Sequence, residues 1–263
     1  MVSQFKMKIN IFIMNPDKNY ERREVLTELL KKTPFQFQFM SINDDIDLAP
    51  GAIAKSHDIK KTLDSLGRDF TRGELASTLN HLLCYTKFLE SENDIAIILE
   101  DDANFIVDKF NCVVSLLIKI MNESKPQVYL LTPVISYLNN NSQRLSVDYK
   151  VVEVVQSLDS SGYILNREAA KKMISANSKA WFIADEWVKY RRYANVNIFS
   201  VIPPIIIQNI GVFGSNLENS RAKAVKSRTL KYVLSRLSFK IIADLKKYLW
   251  LMPFKGYVRN KNV

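Results

Sequence analysis

Short apolar runs alternate along the chain with longer segments whose apolar residues recur every three or four positions. The short runs are typical of strands, and they lie at residues 9–14, 35–39, 95–99, 128–132, 151–155, 163–165 and 197–201. The longer segments are typical of amphipathic helices, and they lie at residues 21–32, 71–89, 110–121, 167–175 and 185–192. Residues 42–70 and 139–141 are polar and are predicted to be irregular. This alternation predicts an α/β fold with a mostly parallel twisted sheet and helices on both faces.

Three carboxylates, Glu100, Asp101 and Asp102, directly follow the apolar run Ile95–Leu99. A run this apolar is typical of a strand buried on both faces of a parallel sheet, and ligands of such sheets bind outside the carboxyl ends of the strands. Adjacent carboxylates repel one another unless a cation or several donors stabilise them, and oxygen ligands suit Mg²⁺ or Mn²⁺. The triplet therefore indicates a metal that carries a phosphate. The alternative, capping of the next helix by the aspartates with a solvated glutamate, stays open.

The net charge of +10 belongs to the C-terminal part of the chain. Residues 221–263 hold 12 Lys and Arg against one acid, about +11, so residues 1–220 hold the remaining 25 basic and 26 acidic residues, about −1. Apolar and cationic positions alternate at helical spacing in this tail, which predicts an amphipathic helix on an anionic membrane surface. Packing of the same stripe on the main domain is the alternative. The stripe consists of Tyr232, Val233, Leu237, Ile241, Leu245, Tyr248 and Leu249.

Composition excludes several classes of site. The chain has seven glycines and neither a Gly-x-Gly-x-x-Gly nor a P-loop string, and its two histidines exclude a multi-histidine metal centre. Cys84 and Cys112 lack paired spacing, which indicates reduced thiols and a cytoplasmic protein. The apolar stretches are too short for a signal peptide or a membrane span. The expected location is therefore the cytoplasm, peripheral on the inner face of the cytoplasmic membrane.

The order of several short segments is more informative than any one of them. The four main segments are residues 15–23 (NPDKNYERR), 71–81 (TRGELASTLNH), 98–103 (ILEDDA) and 161–173, and residues 183–187, 204–208 and 215 follow. In this order they resemble glycosyltransferase family 25, which includes bacterial lipooligosaccharide galactosyltransferases and collagen galactosyltransferases. Pro16, Ala76, Ser77 and Asn80 depart from that family's pattern.

The resemblance implies a GT-A-like catalytic domain at residues 1–220, with residues 221–263 as the basic, membrane-associating helical tail. It implies metal-dependent transfer of a sugar from a UDP-sugar, with inversion at the anomeric carbon. The expected sugar is galactose, and the expected acceptor is a hydroxyl of a lipid-linked lipooligosaccharide or lipopolysaccharide core glycan. No nucleic-acid partner is expected, and the oligomeric state stays open.

Within the resemblance, the acidic triplet is expected to hold the metal and part of the donor. Glu100 and Asp102 are the predicted contacts to Mn²⁺ or Mg²⁺, which would neutralise charge on the departing diphosphate. Asp101 is expected to face the ribose or to have a structural role. Asp185 and Glu186 are predicted to open a late helix and to supply the base that activates the acceptor, although acids also stabilise helix starts.

Six further residues are candidates for the donor site. Arg22 and Arg23 follow the first strand, and one of the two is expected to contact the diphosphate. Asn15 either reads the base or bonds within a turn. Glu74 and His81 lie two helical turns apart on one stripe, but Glu74 also forms a predicted capping box with Thr71, and a satisfied buried imidazole is the alternative for the histidine. The sixth is Gln208, a late metal or phosphate contact or an ordinary strand-end amide.

Two other classes compete with sugar transfer. A Mg²⁺-dependent phosphoryl or nucleotidyl transferase also uses an acidic cluster at a strand end, but it lacks a supporting motif here. A non-enzymatic basic module that binds RNA is suggested by the isoelectric point of about 9.4. The near-neutral charge of residues 1–220 argues against that module.

Overall fold

The strands of the protein form one nine-stranded sheet and a separate two-stranded ribbon. The computed structural model describes residues 7–16, 19–40, 55–208 and 230–260. The strands are β1 (Ile9–Met14), β2 (Gln36–Met40), β3 (Ile95–Glu100), β4 (Ala103–Phe105), β5 (Gln127–Leu130), β6 (Ser136–Arg144), β7 (Lys150–Gln156), β8 (Gly162–Asn166), β9 (Asn197–Ile202), β10 (Ile206–Gln208) and β11 (Tyr257–Arg259). The helices are α1 (Tyr20–Leu30), α2 (Ile59–Leu66), α3 (Arg72–Glu90), α4 (Val107–Ile120), α5 (Arg167–Asn177), α6 (Trp187–Ala194), α7 (Leu230–Lys246) and α8 (Met252–Lys255), with a π-helical turn Lys247–Leu251 between the last two.

The large sheet has the order β11-β6-β7-β9-β5-β8-β3-β1-β2. Six strands, β1, β2, β3, β5, β6 and β9, run in one direction, and β7, β8 and β11 run in the other. The predicted α/β class with a mostly parallel sheet is confirmed. The antiparallel strand β8 lies between β3 and β5, so the loop that precedes it reaches the edge of the sheet where β3 ends.

The central strands are buried on both faces because their residues alternate between two hydrophobic cores. Phe12 belongs to the core beneath α3, α5 and α6, whereas its neighbours Ile11 and Ile13 belong to the core beneath α1 and α4. The same division applies along β3, where all five apolar residues are buried. The predicted arrangement of helices on both faces is therefore confirmed.

Local start signals locate α3, the helix that leads into β3. The Thr71 hydroxyl accepts a hydrogen bond from the Glu74 backbone N–H at 3.2 Å, and the Glu74 carboxylate accepts one from the Thr71 N–H at 2.9 Å. This reciprocal pair is the predicted capping box.

Two segments predicted to be irregular are regular. Residues 59–66 form α2, which starts after Asp58, whose side chain accepts from the Lys61 N–H at 3.0 Å. It ends at Gly67, whose φ of +71° suits a glycine.

The prediction of a polar loop at 139–141 is also wrong, because these asparagines lie within β6. They fall in the register shift of β6 against β7 between Leu138 and Gln143, and the Asn139 N–H donates to the Gly256 carbonyl at 2.9 Å. Within the predicted irregular stretch 42–70, Pro50 and Gly51 indicate a turn, and they lie outside the described residues.

The end of the basic tail joins the main sheet. Strand β11 pairs antiparallel with β6 through Tyr257 and Leu138 and their neighbours. Gly256 precedes it with φ of +61°, and a side chain there would lie 2.1 Å from the Asn140 amide oxygen. The predicted boundary at residue 220 therefore does not separate the whole tail from the sheet. Among the described residues, no helix combines the length and the apolar character that a membrane span requires.

Candidate active site

The acidic triplet lies where β3 ends, beside the loop that precedes β8. The Glu100 backbone N–H donates to the Ser161 carbonyl at 3.0 Å, and the Ser160 hydroxyl donates to the Glu100 carboxylate at 2.7 Å. Asp101 and Asp102 form the turn between β3 and β4. The strand end and this loop thus converge on one group of carboxylates.

Asp101 holds the turn to the start of α1. Its carboxylate accepts hydrogen bonds from Asn15 Nδ2 at 3.0 Å, Asn19 Nδ2 at 2.8 Å and Arg22 at 3.0 Å. Its side chain is 8% exposed. Three charge-assisted or amide donors satisfy this carboxylate, which favours the structural alternative that was predicted beside the ribose contact. Asn15 likewise bonds within the turn, donating to the Asn19 carbonyl, while its buried Oδ1 has no partner among the described residues.

Asp102 is the member of the triplet whose charged form is disfavoured by its surroundings. Its Oδ1 is buried and has no hydrogen-bond partner within the described part of the chain, and its Oδ2 lies 4.0 Å from Arg22. Burial and the negative charges of Glu100 and Asp101 raise the pKa of Asp102 to about 7. A cation bound to this carboxylate would stabilise its charged form and lower its pKa again.

Asp159 is a fourth carboxylate at the site, which the sequence patterns did not reveal. It accepts hydrogen bonds from the Ser161 N–H at 2.8 Å and hydroxyl at 2.6 Å. Burial raises its pKa, and the charge of Glu100 adds to that shift. Its carbonyl accepts from Trp187 Nε1 at 2.8 Å, which ties the loop to the start of α6. Recognition of β8 as the antiparallel neighbour of β3 would have pointed to this loop.

His81 of α3 lies between the triplet and a pair of buried tyrosine hydroxyls. The Tyr85 and Tyr163 hydroxyls lie 2.5 Å apart, and the Tyr163 hydroxyl lies 2.7 Å from His81 Nδ1. Burial raises the pKa of both phenols well above the usual range, so both stay neutral. His81 Nε2 lies 3.6 Å from the Glu100 carboxylate. The imidazole is fully buried and faces Glu100.

The structure separates the two candidate arginines. Arg22 faces the triplet, whereas exposed Arg23 lies over the Phe39 ring at 4.4 Å from its centroid. The prediction that one of the two serves the site therefore selects Arg22. Gln208 lies opposite Ala103 in the β10–β4 pair, so this late residue is brought beside the end of the triplet.

The predicted acidic pair lies at the turn into α6. The helix begins at Trp187, two residues after the predicted start, so the pair precedes the helix and Glu186 is its N-cap residue without a side-chain cap bond. Glu186 Oε2 accepts from Lys189 at 2.5 Å and from the Ile183 N–H at 3.3 Å. Asp185 is half-buried. The Trp187 indole connects this turn to the Asp159 loop.

The sequence profile of glycosyltransferase family 25 (LPS biosynthesis protein) matches residues 8–188, more than half of the chain. This chain belongs to glycosyltransferase family 25. Every predicted site residue of the glycosyltransferase except Gln208 lies within the matched range. Membership sets aside the alternative of a non-enzymatic RNA-binding module.

Solved structures resemble the glycosyltransferase only distantly. A glycosyltransferase involved in the glycosylation of the major capsid of PBCV-1 is 8% identical, with a TM-score of 0.44 over 82% of this chain and 98% of that one. A CMP:2-keto-3-deoxy-manno-octonic acid synthetase complexed with CTP is 10% identical, with a TM-score of 0.41 over 90% and 100%. The glycosyltransferase GlyE of Streptococcus pneumoniae TIGR4 is 10% identical, with a TM-score of 0.33 over 97% and 54%. No curated protein matches the sequence.

Glu74, a predicted donor contact, lies at the start of α3 and is paired there with Arg68. Its side chain is fully buried, and Arg68 binds both carboxylate oxygens at 2.7 Å. The same carboxylate completes the capping box with Thr71. Seven residues of helix rise separate Glu74 from His81 by about 10 Å along the axis. Glu74 therefore stabilises the start of α3, while only His81 reaches the triplet.

We expect Glu74→Gln to lower the free energy of unfolding by about 3 kcal/mol, because the nearly buried Arg68 guanidinium would lose its carboxylate. Urea unfolding measures this loss. The control is Glu90→Gln, which breaks an exposed pair with Lys87 near the end of the same helix and should cost less than about 1 kcal/mol. Unchanged stability together with lost donor binding would return Glu74 to the donor site.

The carboxylates fit the divalent metal that the family resemblance implies. Within the described ranges no three His, Cys, Asp or Glu side chains form a ready-made metal cage. Mg²⁺ in nucleotide sites is commonly held by one or two carboxylates together with phosphates and water. Glu100 and Asp102 match that arrangement, because the buried Asp102 Oδ1 has no partner among the residues described and lies near other negative charges.

Proposed function

We propose that this glycosyltransferase transfers galactose from UDP-galactose, with inversion, to a hydroxyl of a lipooligosaccharide or lipopolysaccharide core glycan. The observation that carries the proposal is the Asp102 carboxylate in the turn after β3. Its Oδ1 is buried and has no hydrogen-bond partner in the part of the chain that the structure describes, and its pKa is raised to about 7. A site built in this way is unfavourable by itself and becomes favourable when a cation and a diphosphate fill it.

The donor half of the site would consist of Glu100, Asp102 and Arg22. A bound Mn²⁺ or Mg²⁺ would neutralise the charge that develops on the diphosphate as the glycosidic bond breaks. Glu100 Oε1 accepts a hydrogen bond from the Ser160 hydroxyl and lies 3.6 Å from His81 Nε2, and these contacts restrict the orientation of the carboxylate. Arg22 is held by Asp101 at the edge of the triplet, so its side chain would lose little conformational entropy when it contacts the diphosphate.

The acceptor half would depend on Asp185. Its carboxylate would accept the proton of the acceptor hydroxyl as the glycosyl cation forms on the donor. The neighbouring Glu186 binds Lys189 and the Ile183 N–H through one oxygen, which gives it a role in holding this turn. The Trp187–Asp159 hydrogen bond holds the Asp185 turn against the loop that carries Ser160.

A donor screen tests the proposal. UDP-galactose, UDP-glucose, UDP-N-acetylglucosamine and UDP-N-acetylgalactosamine are compared for Mn²⁺-dependent release of UDP, with ATP and CTP as non-sugar comparators. We expect UDP-galactose to be turned over fastest and neither triphosphate to be hydrolysed. Turnover of a triphosphate without turnover of any UDP-sugar would contradict the proposal and favour a phosphoryl or nucleotidyl transferase.

A further inference from the structure

The C-terminal helical segment, residues 233–254, exposes an unusual amount of apolar surface. Eleven of its large apolar side chains are between 45% and 68% exposed. Scattered single apolar residues are normal on a protein surface, whereas a contiguous set marks a binding face. The exposed residues are Val233, Leu234, Leu237, Ile241, Ile242, Leu245, Tyr248, Leu249, Trp250, Met252 and Phe254.

Positive charge borders this apolar face. Each residue of a helix turns by about 100°, so positions 233, 237, 241 and 245 lie on one side of α7. Exposed Arg236 and Lys240 lie on the flank of that side. Over residues 230–260 the chain has seven Lys and Arg against one acid, Asp244. Lys255 lies 5.8 Å from the centroid of the Trp250 ring, so cations also surround the aromatic end.

The apolar face is fixed to the catalytic domain at both ends. Its C-terminal end is held by β11 and by Asn140 Nδ2, which donates to the Phe254 carbonyl at 3.1 Å. Toward the other end α7 packs against α2. The face therefore has a defined position on the catalytic domain.

We propose that residues 233–254 dock the glycosyltransferase on the surface of an anionic lipid bilayer. The apolar side chains would enter the interface between headgroups and acyl chains, and the flanking cations would contact anionic headgroups. Aromatic residues such as Trp250 and Tyr248 suit that interface, since each has an apolar ring and a polar group. A second copy of this chain is a poorer occupant, because a symmetric contact would bring two strongly positive faces together.

Vesicle flotation of the full chain tests the docking. Vesicles of phosphatidylglycerol and phosphatidylcholine in equal parts are compared with vesicles of phosphatidylcholine alone, at low and high salt. We expect co-flotation with the anionic vesicles at low salt and release at high salt. Leu237→Asp combined with Ile241→Asp should weaken binding at least about tenfold, because two carboxylates would enter the apolar interface. Lys240→Glu combined with Lys247→Glu should weaken it in the same direction.

Matched controls separate docking from general effects. Val147→Asp introduces a carboxylate at an apolar residue that is 85% exposed in the β6–β7 turn. Lys109→Glu with Lys119→Glu makes the same charge change on α4. Both controls should float as the unmodified protein does. All variants should keep their thermal midpoint and their UDP-sugar hydrolysis. Flotation does not depend on the donor, so failure of the donor screen would be a separate result.

Three outcomes would overturn the docking proposal. The first is flotation that ignores lipid charge and salt. The second is equal loss of flotation in the tail variants and the controls. The third is self-association of the lipid-free chain, abolished by Leu237→Asp with Ile241→Asp, without vesicle binding; this result would assign the face to contacts between copies.

Discussion

Replacing Asp102 by Asn is expected to lower metal-stimulated turnover of the UDP-sugar by at least about a hundredfold. The substitution keeps the shape of the side chain and removes the charge that would hold the cation against the diphosphate. Release of UDP, measured with and without Mn²⁺, gives the effect. Asp108→Asn is the matched control, because this aspartate is exposed in the first turn of the neighbouring helix α4. Full activity of Asp102→Asn would end the metal assignment.

The same variant has a second readout in the metal-free protein. An unfolded aspartate has a pKa near 3.9, whereas burial and neighbouring charges raise that of Asp102 to about 7. Between these values the folded state binds the additional proton, so stability falls as pH rises from about 4 to about 7. We expect the thermal midpoint in a chelator to decline over that window and the decline to be smaller in Asp102→Asn. Mn²⁺ should raise the midpoint near pH 8 in the unmodified protein alone.

Replacing Asp185 by Asn is expected to reduce sugar transfer at least about a hundredfold while UDP binding is retained. The carboxylate would act on the acceptor hydroxyl and would not contact the nucleotide. Transfer to an acceptor glycan measures the first quantity, and calorimetric titration with UDP measures the second. Loss of UDP affinity with normal residual turnover would assign Asp185 to the donor site.

Glu186→Gln is the companion variant for that experiment. Its carboxylate is bound by Lys189, whose ammonium also donates to the Ser65 hydroxyl. We therefore expect this variant to lose stability and to keep more transfer activity than Asp185→Asn. If Glu186→Gln instead loses transfer and keeps both stability and UDP binding, Glu186 is the better candidate for the base.

The parts of the fold that could be predicted are those in which a local pattern reports burial. The run Ile95–Leu99 is apolar throughout because both faces of β3 are covered, and Thr71 with Glu74 forms the cap that the spacing predicts. Helix α2 was missed because it is a single short helix within a polar stretch. Its two boundary signals, Asp58 and Gly67, are recognisable in retrospect.

The parts of the site that could not be predicted depend on strand order. The approach of Asp159 to Glu100 requires that β8 run antiparallel beside β3, and no pattern within either strand specifies that pairing. The same limit applies to Asp101, because its three donors come from the β1–α1 connection and the first turn of α1, more than seventy residues earlier in the chain. The capping contact of Glu74 could be predicted, because both of its partners lie within four residues of sequence and the structure contains that capping box.

Calorimetric titration of UDP into the unmodified glycosyltransferase and into Asp102→Asn, each with Mn²⁺ and with a chelator, tests the central claim most directly. The claim is that the carboxylate turn after β3 binds the donor diphosphate through a divalent cation. We expect Mn²⁺ to raise the UDP affinity of the unmodified protein at least about tenfold and to have little effect on Asp102→Asn. Equal UDP affinity in all four titrations would contradict a cation at Asp102.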